Sequence, residues 1–223
     1  GRGGREAVAR SRDTGLEDAL PGLIHVYTVR LLHVEPQVWR RIEVPESCSF
    51  WDLHVAIQDA MGWLDYHLPE FQLVDRRRKR DVRIGIPDED DELEPPTLAG
   101  WRIGIDQYFK RPGDRALYVY DFGDDWRHEV QLVAIALAEA GREHPRCTGG
   151  AGACPPEDCG GPPGFERLLA ILADAKHPER RDMIRWLKGH AKNYHPYRPD
   201  RFDPGTVAFT DPAARLRGLW DDA

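Results

Sequence analysis

The sequence predicts an α+β protein: an antiparallel sheet of hairpins, with one helix in the N-terminal half and C-terminal helices packed on the sheet. Three observations support this prediction. Short β-rich segments occur in pairs, and turn residues separate the members of each pair. Apolar residues recur at helical spacing between Ser49 and Gly62. They do so again after Gly164.

The first elements along the chain are a pair of strands and a helix. Residues 24–34 are rich in β-branched and aromatic side chains, and residues 38–44 alternate apolar with polar ones, so the two segments are predicted to pair. Ser49 then precedes an apolar stripe that ends at Gly62, and Asp52 stands three residues after the serine. This spacing predicts a helix with a capping box at its start and a glycine stop at its end.

Two further hairpins follow this helix. Residues 68–74 and 82–86 are predicted to pair around a basic tip, and the strands on either side of Gly123 form the second hairpin. Residues 87–96 are acidic and rich in proline, which indicates a long exposed loop between the two hairpins.

The composition changes after the second hairpin. Residues 144–164 form a loop rich in Cys, Gly and Pro, and no regular element is expected to run through its Cys154-Pro-Pro or Gly160-Gly-Pro-Pro stretches. Two helices are then predicted, over residues 164–173 and 178–188, because each range presents an apolar face.

Composition and charge are those of an ordinary globular protein. The 223 residues are 41% hydrophobic and 31% charged, so residues 23–223 can form a single domain, while residues 1–22 are predicted to be a disordered arm. No apolar stretch approaches the roughly 20 residues that a membrane span requires, and no signal peptide is apparent. We therefore expect a cytoplasmic protein that does not bind membranes. The sequence leaves its oligomeric state open.

Three cysteines in the loop at 144–164 predict a zinc site. They are Cys147, Cys154 and Cys159, which should stay reduced in the cytosol, where thiolates are good ligands for zinc. Tetrahedral zinc needs a fourth ligand, for which His128 and His144 are the candidates. Such a site would be structural, because a catalytic zinc keeps one position for water. The alternative is a turn-rich loop with small apolar thiols.

A tight acidic turn is the second candidate for chemistry. Asp121, Asp124 and Asp125 gather around it close to His128, and such carboxylates can hold magnesium or manganese. Aspartates in turns also commonly hydrogen-bond the backbone, and that role is the alternative.

A third candidate set consists of His54, His67 and Glu70. These residues come from the predicted helix and from the strand after it, so they are candidates for a general acid/base group or a metal site. The alternative for His54, which lies beside the apolar stripe, is a hydrogen-bonded packing residue.

A basic run is the candidate for nucleic-acid contact. It comprises Arg76, Arg77, Arg78, Lys79 and Arg80. The acidic run at 88–94 follows within ten residues and can neutralise it, and the formal charge of −7 opposes non-specific binding to DNA. A solvated hairpin tip is the alternative.

Five stretches of the sequence together carry a family resemblance. They are VWRRIEVP at 38–45, LHVAIQDAMGW at 53–63, residues 67–71, YDFGDDWRHEV at 120–130 and CPPEDCGGPPGF at 154–165. In combination they resemble the plasmid pRiA-type ORF-3-like family, whose members are often labelled resolvase-like because some accompany transposable elements. The resemblance covers roughly residues 24–209.

The resemblance implies an α+β fold and an association with mobile elements, and it favours His128 as the fourth zinc ligand. One departure is visible: Pro69 stands where the family usually has a second histidine, which weakens any role for a histidine pair. The resolvase label does not imply serine recombination, because that mechanism needs an activated serine. The three serines lie in the arm or at the start of the first helix.

The expected function is therefore a binding or accessory role linked to mobile elements, with a structural zinc site and an unidentified protein or nucleic-acid partner. One alternative is a metal-dependent enzyme that acts on nucleic acid or phosphoesters through the acidic turn. A further alternative is a DNA-binding protein that uses the basic run.

Overall fold

The computed structural model describes residues 22–88 and 94–221. Its strands are β1 (Leu23–Leu31), β2 (Trp39–Pro45), β3 (Pro69–Asp75), β4 (Arg80–Gly85), β5 (Thr97–Ala99), β6 (Arg115–Tyr120), β7 (Trp126–Leu137) and β8 (Arg146–Ala151). Its helices are α1 (Phe50–Met61), α2 (Gly161–Ala173), α3 (Arg180–Gly189) and α4 (Pro212–Asp221). Short 3₁₀ turns span Gly100–Arg102, Ile105–Gln107 and Pro204–Thr206. Apart from Gly22, the arm predicted over residues 1–22 lies outside the described residues.

The described strands form one sheet in the order β5-β4-β3-β6-β7-β1-β2-β8. Neighbouring strands are antiparallel except β4 and β5, which are parallel. The protein is thus a mixed α/β fold with a mostly antiparallel sheet. The three predicted strand pairs are present: β1 with β2, β3 with β4, and β6 with β7.

Helix α1 begins and ends as the sequence predicts. The Ser49 hydroxyl accepts a hydrogen bond from the Asp52 backbone N–H at 3.2 Å, and the Asp52 carboxylate accepts one from the Ser49 N–H at 2.7 Å. Gly62 ends the helix with a left-handed φ of 89°, a conformation that glycine adopts without a steric cost. The apolar side of α1 joins the strands in one core, to which it contributes Phe50, Leu53, Ala56, Ile57, Ala60 and Met61.

The C-terminal helices occupy different positions. Helix α2 packs against α3 and contributes Phe165 to the core, whereas α4 packs against α1. The side chain of Trp51 in α1 donates a hydrogen bond to the Pro212 carbonyl at 2.8 Å, which ties the start of α4 to α1. Within the described residues, no helix is both long and apolar enough to cross a membrane.

The segment 144–164 is more regular than predicted, because a strand and a helix start lie inside it. Strand β8 pairs with β2, and a side chain at Gly150 would collide with Phe202 and with the Trp39 carbonyl, so glycine permits this close pairing. Helix α2 starts at Gly161 and includes two prolines in its first turn, where the missing N–H is not needed. The prediction that no helix enters the Gly160-Gly-Pro-Pro stretch is therefore wrong.

Candidate metal centre

Three segments that are far apart in the sequence meet at one end of β3 and β6. His67 lies just before Pro69, the first residue of β3, and Asp121 directly follows β6. Because Pro69 pairs with Tyr120 across the antiparallel ladder, the two segments lie side by side. Asp158 joins them from the loop between β8 and α2. We call His67, Asp121 and Asp158 the His-Asp-Asp cluster.

The donor atoms of the cluster are close enough to share one cation. Nε2 of His67 lies 2.9 Å from Oδ1 of Asp158 and 3.4 Å from Oδ2 of Asp121. Ligand atoms of the three residues all lie within 4.8 Å of one another, and no other three His, Cys, Asp or Glu side chains in the described residues come this close. One imidazole and two carboxylates form a ligand set suited to a divalent transition-metal ion.

The cluster is rich in negative charge and open to solvent on one side. The side chain of Asp121 is 10% exposed, whereas that of Asp158 is 54% exposed. Over the described parts of the chain, His67 is the sole ion-pair partner of either carboxylate. Two negative charges therefore face at most one positive charge, and a bound cation would reduce their repulsion.

The two oxygens of Asp121 have separate roles. Oδ1 accepts hydrogen bonds from the backbone N–H groups of Gly123 at 2.9 Å and Asp124 at 3.2 Å, as in an Asx turn. Oδ2 is directed to His67. The turn therefore fixes the carboxylate and leaves one oxygen for the cluster. Asp121 has a φ of 58° and Asp158 a φ of 57°, the left-handed region that aspartate tolerates better than most residues.

Two buried residues, Tyr120 and Glu157, lie next to the cluster in the chain and hydrogen-bond to each other. The Tyr120 hydroxyl donates a short hydrogen bond to Oε1 of Glu157, which is fully buried, and accepts one from the Tyr66 N–H at 3.0 Å. The Leu64 N–H donates to the other Glu157 oxygen at 2.7 Å. Burial and the adjacent carboxylate raise the pKa of Tyr120, so its hydroxyl stays protonated and donates. These bonds fix the side chain of Glu157, and Asp158 is the next residue in the chain.

The predicted zinc ligands do not gather in this way. Cys147, Cys154 and Cys159 pack against the apolar core, and burial raises the pKa of all three thiols, to about 12 for Cys154. No three residues among these cysteines and His128 have ligand atoms within 4.8 Å of one another. His144, the other candidate for the fourth ligand, lies 3.4 Å from a carboxylate oxygen of Glu43. The zinc site stays a prediction.

His128 lies inside the core. Its side chain is fully buried, and Nδ1 lies 3.2 Å from the Tyr118 carbonyl oxygen, to which it can donate. The ring meets that of Trp63 edge-on, with 5.3 Å between the centroids. Burial lowers the pKa of His128 to about 3, so its imidazole is neutral under ordinary conditions.

The remaining catalytic candidates lie outside the cluster. His54 is buried between the Tyr118 hydroxyl, 2.8 Å from Nδ1, and the Asp65 carboxylate, 3.0 Å from Nε2. This position is that of a hydrogen-bonded packing residue. Asp124 accepts a hydrogen bond from the Gly160 N–H at 3.1 Å and thereby joins the acidic turn to the cysteine loop.

The basic run forms the tip of the β3–β4 hairpin, and all five of its side chains are exposed. Arg76 pairs with Asp114 at 2.7 Å, and Arg78 lies 3.9 Å from Asp75. We call residues 76–80 the basic tip.

Asp158 is the member of the cluster that the sequence did not identify as a ligand. In the sequence, Glu157 and Asp158 stand among prolines and glycines, a context that favours carboxylates bound to a turn or supporting a metal ligand. The feature of the sequence that could have indicated Asp158 as a ligand is this acidic pair inside a family motif. Only the fold brings this pair to His67, which lies 91 residues earlier.

The fold and the cluster define a class of protein. It is a mixed α/β fold in which the described residues form an eight-stranded, mostly antiparallel sheet, with a His-Asp-Asp cluster at the end of two central strands. The chain belongs to the plasmid pRiA4b ORF-3-like protein family, whose sequence model matches residues 24–206. This match confirms the resemblance described above. Helix α4 lies beyond the matched residues.

Two relatives show how far the similarity extends. "Uncharacterized protein y4hQ" of Sinorhizobium fredii (strain NBRC 101917 / NGR234) is 38% identical over 159 residues, which cover 71% of this chain and 77% of that protein. The crystal structure of the protein of unknown function MM3350 from Methanosarcina mazei Go1 is 37% identical and superposes with a TM-score of 0.75. It covers 84% of this chain and 99% of the other.

Proposed function

We propose that the His-Asp-Asp cluster binds a divalent cation and that the protein is a metal-dependent hydrolase of phosphoesters. The observation that supports this most strongly is the approach of three donor atoms from three separate segments to within 4.8 Å of one another. Each segment belongs to one of the stretches that carry the family resemblance. The exposed side at Asp158 gives a substrate access to the centre.

The ligand set indicates the kind of chemistry. Three protein ligands leave positions for water and for a substrate oxygen, and a bound cation would lower the pKa of that water and polarise the phosphoryl group. Imidazole favours zinc, and carboxylates favour manganese or magnesium, so Mn²⁺ and Zn²⁺ are the ions to test first. This proposal keeps Asp121 from the predicted acidic-turn site and replaces Asp124 and His128 by Asp158 and His67.

Metal binding tests the first half of the proposal. Chelator-washed protein is titrated with Mn²⁺ and with Zn²⁺ by calorimetry, beside Asp158→Asn and His67→Ala. We expect one site per chain in the wild type and at least roughly ten-fold weaker binding in both variants. Asp124→Asn is the matched control, since its carboxylate lies outside the cluster, and it should bind metal like the wild type. Wild-type protein that binds neither ion contradicts the proposal.

Hydrolysis tests the second half. Bis-p-nitrophenyl phosphate, a simple phosphodiester, is incubated with the metal-loaded proteins. We expect release of nitrophenol that depends on the added metal and falls with Asp158→Asn but not with Asp124→Asn. If the protein binds one metal ion per chain but does not hydrolyse the phosphodiester, the metal site is supported and the proposed hydrolase activity is contradicted.

The second candidate function is an accessory role with a structural zinc. It differs from the proposed hydrolase in the residues that would hold the metal. It rests on the soft thiols of Cys147, Cys154 and Cys159 and on the resemblance, which also carries the association with mobile elements. The same titration separates the two proposals: zinc that is lost in Cys154→Ser and kept in Asp158→Asn would support the cysteine site, and the reverse pattern would support the cluster.

A further inference from the structure

A cationic cleft lies beside the basic tip, at the opposite end of β3 and β6 from the His-Asp-Asp cluster. The cleft measures about 340 Å³ and is formed by the tip and by the segment that leads into β6. Five cations and two carboxylates line it. The cations are Arg76, Arg77, Lys110, Arg111 and Arg115, so the structure adds three to those of the basic run.

The two carboxylates of the cleft already have partners. Asp114 accepts hydrogen bonds from the backbone N–H groups of Lys110 at 2.7 Å and Arg111 at 3.0 Å, and it pairs with Arg76. Asp75 accepts from the N–H groups of Arg77 and Arg78 at 2.9 Å and 3.1 Å. Both aspartates therefore shape the backbone around the cleft, and the five cations outnumber these two carboxylates in its lining.

Two cations of the cleft are free to meet a ligand. The side chains of Arg77 and Lys110 are exposed, and neither forms an ion pair with a residue in the ranges that the structure covers. They come from two separate segments, Arg77 from the basic tip and Lys110 from the segment before β6. A chain with a net charge of −7 thus concentrates unpaired positive charge at one place.

An aromatic ring lines the same cleft as these cations. Tyr108 lines the cleft, is half-buried, and has its ring fixed edge-on against Phe50 with 5.9 Å between the centroids. A cationic groove with a fixed aromatic ring is the combination that binds single strands of nucleic acid, because phosphates meet the cations and a base stacks on the ring.

We infer that this cleft binds single-stranded nucleic acid, with backbone phosphates on Arg77 and Lys110 and a base against Tyr108. This binding site is independent of the proposed metal centre, and the protein should bind nucleic acid in the presence of a chelator. The single strand is favoured over a duplex because a paired base cannot stack on the ring.

Fluorescence anisotropy with a labelled thymidine 12-mer tests this inference, in EDTA and between 50 and 300 mM NaCl. We expect Arg77→Ala/Lys110→Ala to raise Kd by roughly ten-fold or more at low salt. The slope of log Kd against log salt should fall by about 1.4, since each phosphate contact on a single strand contributes about 0.7. Lys176→Ala/Arg201→Ala, which removes the same charge from exposed positions elsewhere, should change neither quantity.

The aromatic contact has a different signature from the charges. Tyr108→Leu should weaken binding by about five-fold or more with an unchanged salt slope, whereas Tyr108→Phe keeps the ring and should bind like the wild type. Thermal unfolding of each variant identifies any that fail to fold. Equal binding by the double variant and its control, tighter binding of a duplex 12-mer, or equal competition by polyglutamate would each overturn the inference.

Discussion

His67 and His128 are two candidate residues in opposite surroundings. His67 is partly exposed and lies between two carboxylates, where its ring can bind a metal. His128 is enclosed by aromatic rings, and burial lowers its pKa to about 3. From the sequence, His128 was a candidate for the fourth zinc ligand, and His67 was a candidate, with His54 and Glu70, for an acid/base or metal site. Their burial, which depends on packing partners from other strands, could not be predicted from the motifs.

The pKa of His128 predicts a specific loss of stability in acid. An unfolded histidine titrates near 6.5, so between about pH 3 and 6.5 the unfolded state binds a proton that the native state does not. The free energy of unfolding should therefore rise with pH across this window and fall on acidification, by up to about 1.4 kcal/mol per pH unit from this residue. Above pH 6.5 its contribution is complete.

Urea unfolding of the wild type and of His128→Gln at pH 7 and pH 5 measures this effect. We expect the drop in unfolding free energy between the two pH values to be smaller in the variant by about 2 kcal/mol. His25, whose pKa burial also lowers, contributes equally to both proteins. His33→Asn, at an exposed position, should behave like the wild type. An identical drop in all three proteins would rule out a buried neutral His128.

Helix α1 is the element that the sequence described best, because its signals are local. The capping box, the apolar stripe and the final glycine all lie within fourteen residues, Ser49 to Gly62. The segment 144–164 was described less well. Its strand β8 forms by pairing with β2, about a hundred residues earlier, and the glycines that permit this pairing resemble loop glycines in the sequence.

The capping box should contribute measurably to stability. Ser49→Ala removes the hydroxyl that accepts the Asp52 N–H, and we expect a loss of about 1 kcal/mol in the free energy of unfolding. Ser47→Ala is the matched control, because Ser47 is exposed two residues earlier, and it should change stability by less than about 0.5 kcal/mol. Equal midpoints in urea for the two variants would show that the cap does not stabilise α1.

At the scale of the whole molecule, α4 connects the C-terminal part of the chain to α1. Arg215 pairs with Asp59 at 2.6 Å and with Asp65 at 3.1 Å, and Asp65 in turn meets the buried His54. Both carboxylates are largely buried, with side-chain exposures of 6% and 10%. This arginine therefore provides one positive charge that both largely buried carboxylates share, which lowers the cost of burying them.

Removing this arginine should destabilise the fold as a whole. Arg215→Ala leaves Asp59 without its cation, and we expect a loss of about 2 kcal/mol in the free energy of unfolding. Arg217→Ala, on the same helix, is the control: Arg217 is exposed, lies 4.0 Å from Asp211, and should cost less than about 0.5 kcal/mol. Similar melting temperatures for the two variants would show that the ion pairs of Arg215 contribute little to stability.

The sequence by itself determined the strand pairs, helix α1, the family and the residue types available for chemistry. These depend on alternation, capping and turn residues, which act over a few neighbouring positions. The tertiary structure decided which of the polar residues meet. It joined His67 to Asp121 through the register of β3 against β6, and brought in Asp158 from a loop 91 residues away from His67. Contacts at such separations depend on how the sheet packs, which local pattern does not determine.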